Sequence, residues 1–128
     1  MDIMNELSIV RDLYVSNDFS QALRTLNGIW ESIPEPKTEV LNAYMAIEYG
    51  VTLALKIGDL EEASKWASYA PSFIEKRHDS AEVEFLVGKV AYERGDMELA
   101  RQQLSIAYQK SEGRIFEGQH PKYLSIVR

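Results

Sequence analysis

The sequence predicts an all-α protein, and three observations carry that prediction. Apolar residues recur at three and four: Leu7, Val10, Leu13 and Tyr14 in one stretch, Val83, Leu86, Val87, Val90 and Ala91 in another. Strand-like alternation bounded by hairpin turns is absent. Pro34, Pro36, Gly58, Gly95 and Gly113 fall between the periodic runs, where breakers belong.

The elements follow in order. A first helix near 2–15 and a second near 18–32 are joined at Asn17-Asp18. The stretch Ile33-Pro34-Glu35-Pro36-Lys37 must break the second, because proline has no N–H and its ring clashes with the preceding turn. A third helix near 38–57 closes at Gly58-Asp59, and a fourth runs near 60–76. Pro71 lies inside a segment, 70–77, that lengthens or kinks the fourth. The fifth and sixth, near 80–94 and 97–111, are joined by Gly95-Asp96. A short seventh follows Pro121, since proline suits a first turn and His120 can precede it. At both Gly-Asp turns glycine can take the positive φ that ends a helix, and the aspartate can accept from the next helix's free N–H groups.

Composition bounds the function. The 128 residues, 45% hydrophobic and 27% charged, suit a single domain over 1–128 and exclude disorder as the main state. The absence of cysteine excludes disulfides, thiolate metal sites and a cysteine nucleophile. A formal charge of −6 argues against a nucleic-acid-backbone binder, which needs a basic face. The charge is uneven. Residues 1–64 hold 4 bases and 11 acids, and residues 65–128 hold 10 bases and 9 acids. Such a field favours a basic partner near the N-terminal half; ordinary solubility charge is the other reading. The first residues carry Asp2, Glu6 and Asp12 rather than a basic start and an apolar run, so no secretory signal is expected there. No stretch approaches the ~20 apolar residues that span a bilayer. A cytoplasmic location without membrane contact is the expectation.

Internal similarity sets the architecture. In residues 81–108 one helix carries Gly88, a Gly95-Asp96 turn follows, and the next helix carries Ala100, Leu104 and Ala107. In residues 44–70 the turn is Gly58-Asp59, followed by Ala63, Ala67 and Ala70 at the same offsets. The first stretch turns at Asn17-Asp18 and continues through Phe19, Ala22, Leu26 and Ile29. The turns are 41 and 37 residues apart. Ala63 and Ala100 are small enough to bring each second helix to the low end of the usual 8–10 Å separation from the one before it. Spacing alone leaves a non-repeating helical bundle open.

These residues resemble the tetratricopeptide repeat, a helix-turn-helix unit of about 34 residues. Gly88, Gly95, Asp96, Ala100 and Ala107 match the third unit well. The second matches at Gly58, Asp59, Ala63 and Ala70, but its Gly50 is one place early and Val51 stands at the family's glycine. The first has Val10 there, and Asn17 replaces the turn glycine. The resemblance implies a right-handed superhelix of three helix-turn-helix units, near 3–33, 38–77 and 80–111. A short helix within 114–128 would cap it, with Ile115, Phe116, Tyr123, Leu124 and Val127 as apolar content. Phe116 and Tyr123 are expected to plug the last helix pair.

A search for chemistry returns little. His78 lies in a polar connection and reads as solvated, and His120 reads as part of a helix start. Two distant histidines make no metal site. No glycine-rich phosphate loop is present. Glu61, Glu62, Glu82 and Glu84 read as solvated helix-surface residues. No catalytic residue, metal ligand or cofactor is expected, and the chain is not expected to be an enzyme.

In the family, the first helix of each unit lines the concave face. The resemblance therefore implies Met4, Leu7, Arg11 and Tyr14 from the first unit, and Met45, Glu48, Thr52 and Leu55 from the second. Glu82, Phe85, Lys89 and Tyr92 come from the third. Arg11, Tyr14, Met45, Glu48, Thr52, Phe85, Lys89 and Tyr92 are the expected partner-binding residues, since aromatics, Met and Arg are enriched at interfaces. Leu7, Leu55 and Phe85 read equally well as packing residues between units or under the cap, whereas Arg11, Glu48, Thr52 and Lys89 are expected at the surface. The carboxylate clamp of chaperone adaptors in this family is disfavoured. Its positions carry Leu7, Arg11, Tyr49, Glu82 and Leu86, and Glu82 would repel a carboxylate.

The run from Gly113 to Leu124 also resembles the ending of small stand-alone bacterial tetratricopeptide proteins, among them toxin-immunity proteins. The expected function is protein binding without catalysis, most concretely neutralisation of a basic toxin by an acidic immunity-type protein. The alternative is an adaptor or chaperone-like scaffold holding a peptide segment of a larger cytosolic or secretion assembly. Imperfect ends leave a homodimer through an uncapped face open.

Overall fold

A computed structural model describes residues 2–127. The first chain reversal sets the pattern. Helix α1 (Met4–Val15) ends where Asn17 takes a φ of 62°, and α2 (Phe19–Ser32) runs back along it. Pro34 and Pro36 then hold the chain out of helix, and a short 3-10 turn (Lys37–Glu39) leads to α3 (Ala43–Lys56). Helix α4 (Leu60–Ser68) follows the Gly58-Asp59 turn. A 3-10 helix (Ala70–Arg77) comes next, then α5 (Glu82–Arg94) and α6 (Met97–Ser111). The described chain closes with a 3-10 turn (Arg114–Phe116) and α7 (Pro121–Ser125). Among the described residues there is no strand, only an isolated parallel bridge between Asp2 and Leu41.

Two boundaries differ from the sequence reading. The third helix begins at Ala43, not near 38. Asn42 sits in the left-handed region at φ 69°, and its side-chain amide donates to Asp2 Oδ1 at 2.8 Å. The same oxygen accepts from the Met4 backbone N–H at 3.0 Å. Thr38 and Val40 are β-branched and poor at starting a helix. The fourth helix stops at Ser68 instead of running to 76. Pro71 lacks an N–H, and its ring disfavours α conformation in the residue before it, so the chain tightens to a 3-10 helix.

The chain divides into two compact units between Trp66 and Ala67, inside α4. In the first, α1 packs on α2 and α2 on α3. Leu7, Val10, Leu26, Ile47, Val51 and Trp66 are fully buried there. The rings of Trp30 and Trp66 meet edge-on at 5.3 Å. Gly50 faces the Trp66 indole so closely that a Cβ would run into its ring. The place one before the family's glycine is thus the one that needs it. In the second unit α5 packs on α6, and Gly88 faces Leu104, whose Cγ would lie 2.7 Å from a Cβ. Phe116 and Tyr123 are buried in a cluster with Ala81, Phe85, Leu104 and Ala107. Leu124 is exposed and adds nothing to that cluster.

Both Gly-Asp turns have the expected geometry. Gly58 and Gly95 take φ of 75° and 84°. Asp59 accepts from the Glu62 N–H at 3.0 Å, and Asp96 from the Leu99 N–H at 3.3 Å.

Candidate binding surface

The expected binding residues fall on α1, α3 and α5. On α1, Arg11 is exposed beside Asp12 at 3.8 Å, and the half-buried Tyr14 packs its ring on Phe19 at 5.3 Å. Met4 is exposed, whereas Leu7 is fully buried and belongs to the core. On α3, Glu48 is exposed and Met45, Thr52 and Leu55 are half-buried. The Asp2–Leu41 bridge sets the starts of α1 and α3 side by side.

On α5, Lys89 and Tyr92 are half-buried, and Glu82 pairs with Arg77 at 2.8 Å. Phe85 is only 6% exposed and packs edge-on against Phe116 at 5.1 Å and Tyr123 at 6.0 Å. Of its two readings the structure gives the second: it is a packing residue under the C-terminal segment. Tyr92 meets the same Tyr123 ring at 5.3 Å, and the Lys122 ammonium lies 5.6 Å from the Tyr92 centroid.

Three charged groups read as solvated, or not singled out at all, prove to be built into the packing. Glu84 is 7% exposed and takes Lys110 at 2.7 Å across α5 and α6, while its Oε1 has no partner. The register held a clue: Glu84, Gly88 and Ala91 lie on one helical stripe, and Gly88 faces α6. Glu62 accepts from Asn27 at 2.9 Å and the Trp66 indole at 3.1 Å, and pairs with Lys65 at 2.9 Å. Glu93 accepts from the Tyr123 hydroxyl at 2.6 Å and pairs with Lys122 at 2.7 Å.

Burial raises the Glu62 and Glu93 carboxyls, and their hydrogen bonds more than reverse it, leaving both below the ordinary value. Burial, followed by the hydrogen bond to Glu93, pushes the Tyr123 hydroxyl up.

The histidines lie where the sequence put them. His78 is exposed with Asp79 at 3.1 Å, and His120 Nδ1 accepts from the Lys122 N–H at 3.1 Å, at the start of α7. Among the described residues no three His, Asp or Glu side chains gather as a metal site, and no helix is long and apolar enough to cross a membrane. Family models, curated proteins and solved structures give no match to this chain.

Proposed function

We propose that this chain is a tetratricopeptide-like, non-enzymatic protein-binding module. Its most concrete role is that of a small acidic bacterial immunity-type protein that binds and neutralises a basic toxin in the cytoplasm. The observation that carries the reading is the composition of the first-helix faces. Arg11 and Glu48 are exposed there, with Tyr14, Met45, Thr52, Lys89 and Tyr92 half-buried, a mixture of rings, sulfur and single charges suited to protein contact. The Gly-Asp turns and the glycines under Trp66 and Leu104 support the repeat-like pairing of helices. The acidic balance of residues 1–64 supports a partner of opposite field, whose encounter it would speed.

The test is expression of the neighbouring gene's product, alone and together with this chain. Rescue of growth and a stoichiometric complex are expected. The triple variant Tyr14→Ala, Lys89→Ala, Tyr92→Ala should lose both. Rescue that survives this variant would remove the face assignment, and a neighbouring product that neither harms growth nor binds would remove the role.

A further inference from the structure

The α5 surface already holds a ligand, and it comes from the same chain. Two plugs close the end of the second unit, and they differ in kind. Phe116 is buried against Phe85 and Tyr108 within a short 3-10 turn joined directly to α6. Beyond it the chain passes Gly118, at φ 80°, and reaches α7. Of α7's five residues only Tyr123 is buried; Pro121, Leu124 and Ser125 are exposed. Just past α7, Ile126 and Val127 are half-buried against the same cluster as Tyr123. The helix's own remaining holds are polar and half-exposed: the Tyr123 hydroxyl and the Lys122 ammonium, both on Glu93. Water can replace such contacts at modest cost. A five-residue helix has little stability of its own. Removing α7 would uncover Tyr92, Glu93 and the edge of Phe85, while Phe116, carried on its own 3-10 turn, has ring contacts with Phe85 and Tyr108 that do not involve α7.

We propose that α7 is a displaceable latch, and that the α5 surface beneath it takes a partner segment bearing a cation next to an aromatic ring. Lys122 and Tyr123 define that chemistry. The aromatic stands edge-on between Phe85 and Tyr92, with its hydroxyl on Glu93. The cation lies on the same carboxylate and 5.3–5.6 Å from two ring centroids. The proposal rests on the reading of α5 as a recognition helix, and names what that helix recognises.

The probe is a synthetic peptide of residues 117–127, titrated calorimetrically into the full chain and its Tyr123→Ala variant. The variant should bind the peptide at one site. The wild type should bind at least about tenfold more weakly, because its surface is free only in the fraction of molecules with the latch open. A peptide carrying Tyr123→Ala should not bind. Equal binding by both chains, or no binding by the variant, would overturn the proposal. So would loss of helical circular dichroism beyond α7, since a latch leaves the rest folded.

Hydrogen exchange on the wild type gives an independent reading. The protected amides of Tyr123 and Val127 should exchange by local opening, ahead of those in α5 and α6. Exchange only with global unfolding would overturn the latch. Because the probe is the chain's own segment, failure here leaves partner binding through α1 and α3 standing. Loss of partner binding with a working latch removes only the proposed function.

Discussion

Two glycines in comparable helices separate what a side chain at each position must contend with. Gly50 lies under the Trp66 indole, a rigid ring that cannot swing aside, so Gly50→Ala forces α3 and α4 apart locally. A loss of about 2–3 kcal/mol is expected, at the upper end of the cost of overpacking. Gly28 sits inside α2 with nothing within 4 Å of an added Cβ. Gly28→Ala should therefore gain about 0.5–1 kcal/mol by restricting the unfolded chain. Urea midpoints of the two variants should move in opposite directions. Gly88 was legible from the repeat pattern. Gly50 was legible only as a residue one place out of register, because a periodic pattern cannot say which ring a glycine will face. Glu84 escaped for a related reason: Lys110 lies 26 residues away, and only the packing of α5 on α6 brings the two together.

At the scale of elements, turns read well and helix starts read less well. Gly58-Asp59, Gly95-Asp96 and Asn17 each mark a reversal found in the structure, since positive φ and side-chain capping are local properties. The start of α3 is set by a distant group. Asp2 holds Asn42 from forty residues away, and no periodicity encodes that contact. Asn42, at φ 69°, stands in the left-handed region that asparagine visits more readily than other side-chain-bearing residues, and its amide is held by Asp2. Asn42→Ala should cost about 1–2 kcal/mol, because alanine keeps the Cβ in that conformation but loses the amide that offsets it. Asn42→Gly should cost less, losing only the bond to Asp2. Thermal denaturation of the pair checks this, with the alanine variant expected to melt first. The early end of α4 lies just before Pro71, which stands within the segment that the sequence marks as lengthening or kinking the helix; the switch to a 3-10 helix is not legible there.

At the scale of the whole chain, charge links stability to acidity. Glu62 and Glu93 both titrate below their ordinary value of 4.5 in the folded protein. A depressed folded value means the unfolded chain takes up protons first as the pH falls. The stabilisation is then complete above about pH 4.5 and lost on descent through the lowered folded values. Melting temperature should be flat between about pH 7 and 5 and fall below that. Glu93→Gln should flatten part of the fall; an unchanged slope would show that the carboxylate's contacts with Lys122 and Tyr123 contribute nothing. The net charges of residues 1–64 and 65–128 came directly from the sequence, as did the C-terminal plug. The charged pairs beneath the surface came only from the structure, because burial is a property of the fold.

The edge-on pair of indoles carries a practical consequence. Trp30 and Trp66 are the chain's only tryptophans, and both lie in the first compact unit. Indole emission therefore follows that unit alone, whereas the tyrosines are divided, Tyr14, Tyr44 and Tyr49 in the first unit and Tyr69, Tyr92, Tyr108 and Tyr123 in the second. Trp66 also donates to a titrating carboxylate, Glu62, so its quantum yield should register acid before the backbone moves. Set beside the circular dichroism of the whole chain, that one emission gauges whether the halves melt together, since coincident midpoints mark a single transition.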